Sequence, residues 1–338
     1  MRSASLTALL ALAMSLLASL SFAQARTDKP LILYVGYAPG GGYDGYARLI
    51  SRHMGRHVPG NPTIIVQHRP GAGSVALAND LYTTLPRDGS VFGMFSNSLH
   101  LWEVLGQENI RFMSARFNWI GRVTDADDVM VMRPDAGSSS LTDARAREFT
   151  IGVPGATSSP ALTIGAVNIV LGTKFRMITG YTGSAETRLA VERGEIDGTQ
   201  GILWSVDGAW VRKNGLKVIY RVSATPIVRL EAVPALEQLA ETSEQKTLLR
   251  FFTSFTDVGR AVTAPPGVPP ERVRALRGAF GATMTDGGFV AEAEKSGLRI
   301  APLDGERLQE LVTATASLSE EQKRMARVAA GVASSTAK

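Results

Sequence analysis

Short apolar runs alternate along the chain with longer segments whose apolar residues recur at helical spacing. This alternation is typical of α/β units built around mostly parallel sheets. The short runs predict strands at residues 31–37, 63–67, 91–95, 129–133, 149–153, 175–179, 216–222, 260–264 and 298–301. The longer segments predict helices at residues 44–57, 74–84, 160–171, 184–193, 233–240, 270–285 and 305–329. A chain of 338 residues has room for two such domains.

Two glycine-rich turns each follow a predicted strand and open a predicted helix. They are residues 38–44 (APGGGYD) and residues 69–74 (RPGAGS). Glycine lets the backbone turn tightly and leaves no Cβ between the peptide N–H groups and a ligand. The first N–H groups of the following helix have no partner within it, and the positive end of its dipole lies at the turn. Together the two turns predict a cradle for a carboxylate or a phosphate.

The middle of the chain carries a second pair of turns, rich in glycine and hydroxyl side chains, at residues 154–159 and 180–184. Ligands of open α/β sheets bind outside the carboxyl ends of the strands. Two lobes that each present a pair of such turns would therefore face each other across a cleft. We predict a first lobe of residues 27–127 plus 256–338 and a second lobe of residues 128–255. The proline-rich connector 265–270 is the reason, because strand–helix alternation resumes there.

The first 25 residues have the layout of a secretory signal peptide. Arg2 precedes an apolar stretch, and small residues offer cleavage after Ala23 or Ala25. The chain has no cysteine, so we expect neither disulfides nor a lipid anchor at the cleavage site. The formal net charge is +5 with scattered basic residues, which predicts no nucleic-acid partner. These features predict a periplasmic monomer that is not embedded in the membrane.

Several stretches of the chain resemble the substrate-binding receptors of tripartite tricarboxylate transporters, the TctC or Bug-type proteins. The matching stretches are residues 37–44, 67–74, 86–89, 180–183, 194–198 and 264–269. The resemblance implies a two-lobed α/β receptor of the periplasmic-binding-protein (Venus flytrap, type II-like) fold with crossing hinge strands. Such a receptor is not an enzyme, needs no cofactor and hands small organic acids to the membrane subunits of a transporter. His68 stands where the family usually has asparagine and Ser74 replaces a glycine, so the identity of the ligand stays open.

Carried over position by position, the resemblance places the two glycine turns on one ligand carboxylate and the second-lobe turns on the rest of the ligand. The predicted ligand-binding residues of the first lobe are Tyr37, Ala38, Pro39, Gly40, Gly41, Gly42, Asp44, Arg69, Gly71, Ala72, Gly73, Ser74 and Asn97. Those of the second lobe are Thr157, Ser158, Tyr181, Thr182 and Ser184. We expect the N–H groups of the glycine turns to converge on one small volume.

A nucleotide-binding alternative rests on the first turn. Gly40, Gly42 and Gly45 satisfy G-x-G-x-x-G between a strand and a helix, which is the dinucleotide fingerprint. The next strand ends in Gln67-His68-Arg69, without the acidic residue that would bind the ribose. An NADP-dependent oxidoreductase using Arg69 is therefore one alternative. A ligand sensor or interaction protein outside transport is another.

Catalytic and metal motifs are sparse. No G-x-S-x-G is present, and nothing points to a Ser-His-Asp triad. His53 and His57 lie four apart on one helix, but no third ligand accompanies them, so we expect no metal.

Four polar or aromatic residues have open roles at this stage. Asp44 caps the helix, holds water or meets an ammonium group of the ligand. Arg69 binds a carboxylate or faces solvent at the strand end. His68 contacts the ligand or packs in its loop, and Trp204 lines the cleft or belongs to the core.

Overall fold

The computed structural model describes residues 29–137, 140–223, 226–316, 323–324 and 327. The predicted signal peptide and the end of the predicted last helix lie outside the described residues. No helix within the described part of the chain is both long and apolar enough to cross a bilayer.

The first of two sheets has six strands. They are β1 (Leu31–Val35), β2 (Ile64–His68), β3 (Val91–Met94), β4 (Asn118–Arg122), β10 (Ala261–Ala264) and β11 (Leu303–Asp304), in the order β11-β4-β10-β3-β1-β2. β1 is parallel to β2 and β3, whereas β10 is antiparallel to β3 and β4. The helices between these strands or after them are α1 (Gly42–His53), α2 (Val75–Thr83), α3 (Leu99–Val104), α10 (Pro270–Met284), α11 (Gly287–Lys295) and α12 (Gly305–Ala316).

The second sheet has five strands. They are β5 (Asp127–Met132), β6 (Phe149–Gly152), β7 (Phe175–Ile178), β8 (Gly198–Leu203) and β9 (Lys217–Ser223), in the order β7-β6-β8-β5-β9. β6 is parallel to β7 and β8, and β5 is antiparallel to β8 and β9. The helices of this part are α4 (Leu141–Ala146), α5 (Ser159–Leu171), α6 (Ser184–Glu192), α7 (Trp204–Lys213), α8 (Ser243–Thr253) and α9 (Phe255–Val258).

Two short segments carry the chain between the sheets, one between β4 and β5 and the other between α9 and β10. They are hydrogen-bonded to each other, because Arg260 N–H donates to the Thr124 carbonyl at 2.8 Å and Val123 N–H donates to the Arg260 carbonyl at 3.0 Å. Gly259 has a φ of 53°, and a Cβ on it would overlap the Thr124 carbonyl oxygen. The crossing therefore depends on glycine at this position. The exact lobe boundaries stay a prediction.

The α/β class is confirmed, but some predicted elements are wrong. No strand forms at residues 298–301, because Ala301 makes a single hydrogen bond to Val123 instead of a ladder. No α-helix forms at residues 233–240. There Ala235 runs extended beside Arg221 of β9, and only one 3-10 turn follows, at Leu236–Leu239.

Strands β4, β8 and the two-residue β11 were not predicted from the sequence. Four of the six residues of β8 (GTQGIL) are glycine or polar, so it lacks the apolar run of a buried strand. It is nevertheless held between β5 and β6, and its residues are almost entirely buried. Its neighbours, rather than its own composition, make it a strand.

Candidate functional site

A cavity of about 310 Å³ lies between the second glycine turn and two turns of the five-strand part. We call it the turn cavity. Its lining residues are Gly36, Tyr37, Pro70, Gly71, Ala72, Gly73, Ser74, Pro154, Gly155, Ala156, Thr179, Gly180, Tyr181 and Thr182. None of these lining residues has a charged side chain, so the backbone supplies much of the polarity of the walls.

The second glycine turn is held in an unusual backbone conformation. Ala72, Gly73 and Ser74 have φ values of 46°, 59° and 73°, a region that non-glycine residues rarely adopt. The Ser74 hydroxyl is buried and accepts a hydrogen bond from Ser96 N–H at 2.6 Å, which fixes the turn against the end of β3. No described residue accepts a hydrogen bond from the N–H groups of residues 71–73. The turn thus keeps donors available beside the cavity.

The two halves of the molecule touch around this cavity. A Cβ on Gly155 would lie 2.6 Å from the Gly73 nitrogen, so the turns approach closely only because both are glycine. The Thr157 hydroxyl donates to the Ala72 carbonyl, and Ala38 N–H donates to the Thr182 carbonyl at 3.0 Å. These contacts join the lobes directly.

A smaller cavity of about 40 Å³ lies beside the turn cavity, and we call it the acidic cavity. Its lining residues are Tyr37, Ala38, Gly41, Gly42, Tyr43, Asp44, Asp128, Pro154, Ser159, Pro160, Ser184, Gly201, Leu203, Asp207 and Arg260. Tyr37 and Pro154 line both cavities. The two glycine turns therefore line adjoining cavities rather than one common volume, and convergence of their N–H groups on one ligand group stays a prediction.

Buried charges lie deep in the acidic cavity. Asp128 and Arg260 are 2% and 4% exposed, and Arg260 Nη2 lies 3.5 Å from Asp128 Oδ1. The Arg260 guanidinium also stands 4.4 Å from the centre of the Tyr43 ring. Burial raises the pKa of Asp128 above its ordinary value, although Arg260 opposes the shift. Burial likewise raises the pKa of Asp207, which forms an ion pair with Arg188.

Asp44 is held in a different way, at the start of α1. It accepts hydrogen bonds from Gly40 N–H at 2.9 Å and from Arg48 Nε at 2.8 Å, and it contacts His68 Nε2 at 2.8 Å. Burial alone would raise the pKa of Asp44, but the hydrogen bonds from Arg48, Gly40 and His68 lower it. Asp44 is not the N-cap of α1, which is Gly41, but from the first turn of the helix it holds the Gly40 N–H of the glycine turn, and His68 contacts its carboxylate.

The structure divides the predicted ligand-binding residues into three groups. Those on the turn cavity are Tyr37, Gly71, Ala72, Gly73, Ser74, Tyr181 and Thr182. Those on the acidic cavity are Tyr37, Ala38, Gly41, Gly42, Asp44 and Ser184. Those that line neither cavity are Pro39, Gly40, Arg69, Asn97, Thr157 and Ser158.

Two residues of the third group are occupied elsewhere. Arg69 forms an ion pair with Asp80 at 2.9 Å and lies over the Tyr34 ring, which matches the interpretation as a strand-end charge. The Asn97 side-chain amide donates to the Phe255 carbonyl at 3.0 Å and so joins the loop after β3 to α9. Neither contact points to a ligand.

Sequence reasoning did not single out Asp128, Asp207 or Arg260, and it included Gly155 only as part of the turn at residues 154–159. A weak signal existed for two of them. Asp128 comes directly before the predicted strand at residues 129–133, and Arg260 is the first residue of the predicted strand at residues 260–264. A charge in such a place is expected to be paired or functional, because burying an unpaired charge is costly.

Comparisons with known proteins agree with this architecture. A family model described as "Tripartite tricarboxylate transporter family receptor" (TctC) matches residues 47–326. A UPF0065 protein of Bordetella pertussis is 25% identical over 293 residues, which cover 85% of this chain and 86% of that protein.

Solved structures show the same fold. The periplasmic binding protein BugD has a TM-score of 0.71 at 17% identity, covering 90% of this chain and 98% of that chain. MatC of Rhodopseudomonas palustris, solved with bound malate, has a TM-score of 0.70 at 17% identity, covering 89% and 98%. These similarities confirm the predicted two-lobed periplasmic-binding-protein fold. The chain belongs to the tripartite tricarboxylate transporter receptor family, a family of solute-binding receptors.

Proposed function

We propose that this chain is an exported receptor that captures a small organic acid between its lobes and delivers it to the membrane subunits of a tripartite tricarboxylate-type transporter. The turn cavity is the observation that carries the proposal. Its volume of about 310 Å³ suits a small molecule, and its walls come from turns of both lobes.

A carboxylate is the ligand group that best fits the second glycine turn. The N–H groups of residues 71–73 have no acceptor among the described residues, and α2 begins two positions later, at Val75, after its N-cap Ser74. Backbone donors and the positive end of a helix dipole both favour an anion. A hydrogen bond to a charged group contributes roughly 1.5–3 kcal/mol. MatC, the relative with bound malate, supports the same class of ligand.

Closure of the lobes would complete the site. The contacts of Thr157 with Ala72 and of Ala38 with Thr182 join the two lobes. A ligand held by both lobes prefers the closed state, and only that difference in affinity can shift the equilibrium. Tyr181 and Thr182 would then contact the far end of the ligand, and the closed shape would be what the membrane subunits recognise.

The proposed location in the periplasm is supported by the predicted signal peptide, with cleavage near Ala23 or Ala25, and by the periplasmic binding protein BugD among the similar structures. N-terminal sequencing of the exported protein would identify the cleavage site. A mature chain that begins at Met1 would contradict export by this route.

A thermal-shift screen tests the proposed function. The melting temperature of purified mature protein is measured with dicarboxylates, tricarboxylates and aromatic acids, and the uncharged amide of each acid is measured separately as its control. A ligand at a hundred times its Kd stabilises the folded state by about 2.7 kcal/mol, which raises Tm by several degrees. We expect at least one acid to do so and its amide not to. Stabilisation by NADP alone would favour the oxidoreductase, and no stabilisation by any compound would favour an interaction protein.

A further inference from the structure

An ion pair is buried in the wall of the acidic cavity, at the point where the chain crosses between the lobes. Asp128 lies on β5 of the five-strand sheet, and Arg260 lies in the crossing segment directly before β10. Both side chains are buried, and Arg260 Nη2 lies 3.5 Å from Asp128 Oδ1. The walls of the cavity come from α1 and the loop before it on one side and from β8, α5 and α7 on the other. Opening of the lobes would therefore expose the pair to solvent.

The ion pair is poorly satisfied in the structure. Within the described part of the chain, Asp128 Oδ1 and the Nε and Nη1 atoms of Arg260 have no hydrogen-bond partner. The Tyr43 ring, 4.4 Å from the guanidinium, attracts the charge but leaves these N–H groups without an acceptor. Buried polar atoms are normally hydrogen-bonded, and charged atoms without a partner are the most costly to bury.

The other carboxylates of the acidic cavity are engaged elsewhere. Asp44 accepts a hydrogen bond from Arg48 Nε at 2.8 Å, and Asp207 forms an ion pair with Arg188. Neither arginine lines the cavity. Arg260 therefore depends on Asp128 for its ion pair, and closure of the lobes supplies no further acceptor.

The pKa of Asp128 shows which contribution to the pair is larger. Burial raises this pKa above its ordinary value, and the attraction of Arg260 opposes the shift without cancelling it. The carboxylate is thus harder to ionise in the closed protein than in water, even beside a guanidinium. When desolvation of a buried ion pair exceeds its attraction, replacement of both partners by apolar residues is neutral or stabilising.

We propose that the pair formed by Asp128 and Arg260 opposes closure of the lobes and holds the acid-free receptor open. Opening lets water reach the unpartnered atoms, whereas closure withdraws that water and returns no partner. The inference rests on the proposed function, in which a bound acid supplies the contacts that close the lobes. Neither residue lines the turn cavity, so both act on affinity through the fraction of closed receptor rather than through contact with the acid.

Replacement of both partners by apolar residues tests the inference. The double variant Arg260→Met with Asp128→Leu removes both charges, and methionine keeps a favourable contact with the Tyr43 ring. By isothermal titration calorimetry at pH 7, we expect it to bind the acid with the largest thermal shift about tenfold more tightly than the wild type, or about 1.4 kcal/mol. By small-angle X-ray scattering without acid, we expect a smaller radius of gyration than that of the wild type.

A second double variant covers the case in which the apolar one does not fold. Arg260→Gln with Asp128→Asn removes the same charges and keeps polar side chains, so we expect the same direction of change and a severalfold gain in affinity. Arg133→Met with Asp135→Leu is the matched control. That pair is joined at 2.8 Å within the five-strand part and lines neither cavity, so we expect wild-type affinity and radius.

The contrary results separate the inference from the proposed function. Acid binding that is unchanged or weaker in folded, charge-free variants would overturn the inference and leave the receptor function standing. An acid-free radius of gyration equal to that of the wild type would overturn it as well. Absence of binding of every acid by the wild type would overturn the proposed function, and the scattering comparison, which needs no ligand, would still decide whether the pair opposes closure.

Discussion

Aspartates of this protein titrate differently because their surroundings differ. Asp44 receives hydrogen bonds from the backbone and from Arg48, and its pKa is lowered. Asp128 is fully buried beside a single guanidinium, and its pKa is raised. The N-cap position predicted for Asp44 is wrong, because α1 begins at Gly42 with Gly41 as its N-cap, but the contacts of Asp44 with Gly40 and Arg48 are local and lie four positions away on either side. The pairing of Asp128 with Arg260 could not be predicted, because 132 positions separate them and only the crossing of the chain brings them together.

Asp127 offers a test of this electrostatic picture. Burial, and then the neighbouring charge of Asp128, raise its pKa from 3.8 to about 7, while Ser205 and Arg260 oppose the shift. Between these two values the folded state binds more protons than the unfolded state, so stability falls as pH rises. The Asp127→Asn variant removes this titration and keeps an acceptor for Ser205 N–H, which lies 2.9 Å away.

Urea unfolding of the wild type and of Asp127→Asn at several pH values between 4 and 7.5 provides the measurement. We expect the free energy of unfolding of the variant to rise, relative to that of the wild type, by up to about 1.4 kcal/mol per pH unit within this window. Asp135→Asn, a change at an exposed residue, should not show that gain. A constant difference between Asp127→Asn and the wild type across the window would show that Asp127 is already ionised at pH 4.

At the scale of elements, local sequence signals were sufficient to predict some elements of the fold and not others. The glycine turns and the helices after them could be predicted, because turn chemistry and apolar spacing lie within a few residues. Strand β8 could not, since its burial comes from β5 and β6. The contacts of the turns with each other depend on the position of the whole lobes.

Helix α5 shows how a predicted ligand residue can have a structural role. The Ser158 hydroxyl accepts from Ala161 N–H at 3.4 Å and donates to the Gly155 carbonyl at 2.7 Å, so it caps the helix. We expect Ser158→Ala to cost about 1 kcal/mol of stability, or roughly 2–4 °C in Tm, and to leave ligand affinity nearly unchanged.

Thermal unfolding and calorimetry on the same protein samples check this expectation. Thr242→Ala is the comparison, because Thr242 caps α8 through Gln245 N–H at 3.1 Å and lines neither cavity. Both variants should lose similar stability. A large loss of affinity in Ser158→Ala without a loss of Tm would instead place the hydroxyl on the ligand.

At the scale of the whole molecule, closure depends on close approach of the two lobes. Gly155 and Gly73 meet there, and a Cβ on Gly155 would come within 3.0 Å of both the nitrogen and the Cα of Gly73. We expect Gly155→Ala to hold the lobes apart and to weaken ligand binding at least about tenfold, the loss of one charge-assisted hydrogen bond. Calorimetry with the best acid measures the effect.

Gly172→Ala is the matched control for backbone strain. Gly172 also has a positive φ, 70°, but a Cβ on it would meet nothing within 4 Å. Both variants place alanine at a positive φ, 152° at residue 155 and 70° at residue 172, whereas only Gly155→Ala introduces a contact between lobes. Equal affinities for the two variants would show that the close approach of the turns does not matter for binding.

The central claim is that a small acid binds between the lobes and closes them. The chain has no cysteine, so spin labels can be placed only at introduced sites, and Ile65→Cys with Leu189→Cys puts one exposed label on each lobe. The distance between the two labels is then measured by double electron–electron resonance, with and without the acid that gives the largest thermal shift. We predict a broad distribution for the free protein and a single, shorter distance at saturation. An unchanged distribution at saturating acid would contradict the account.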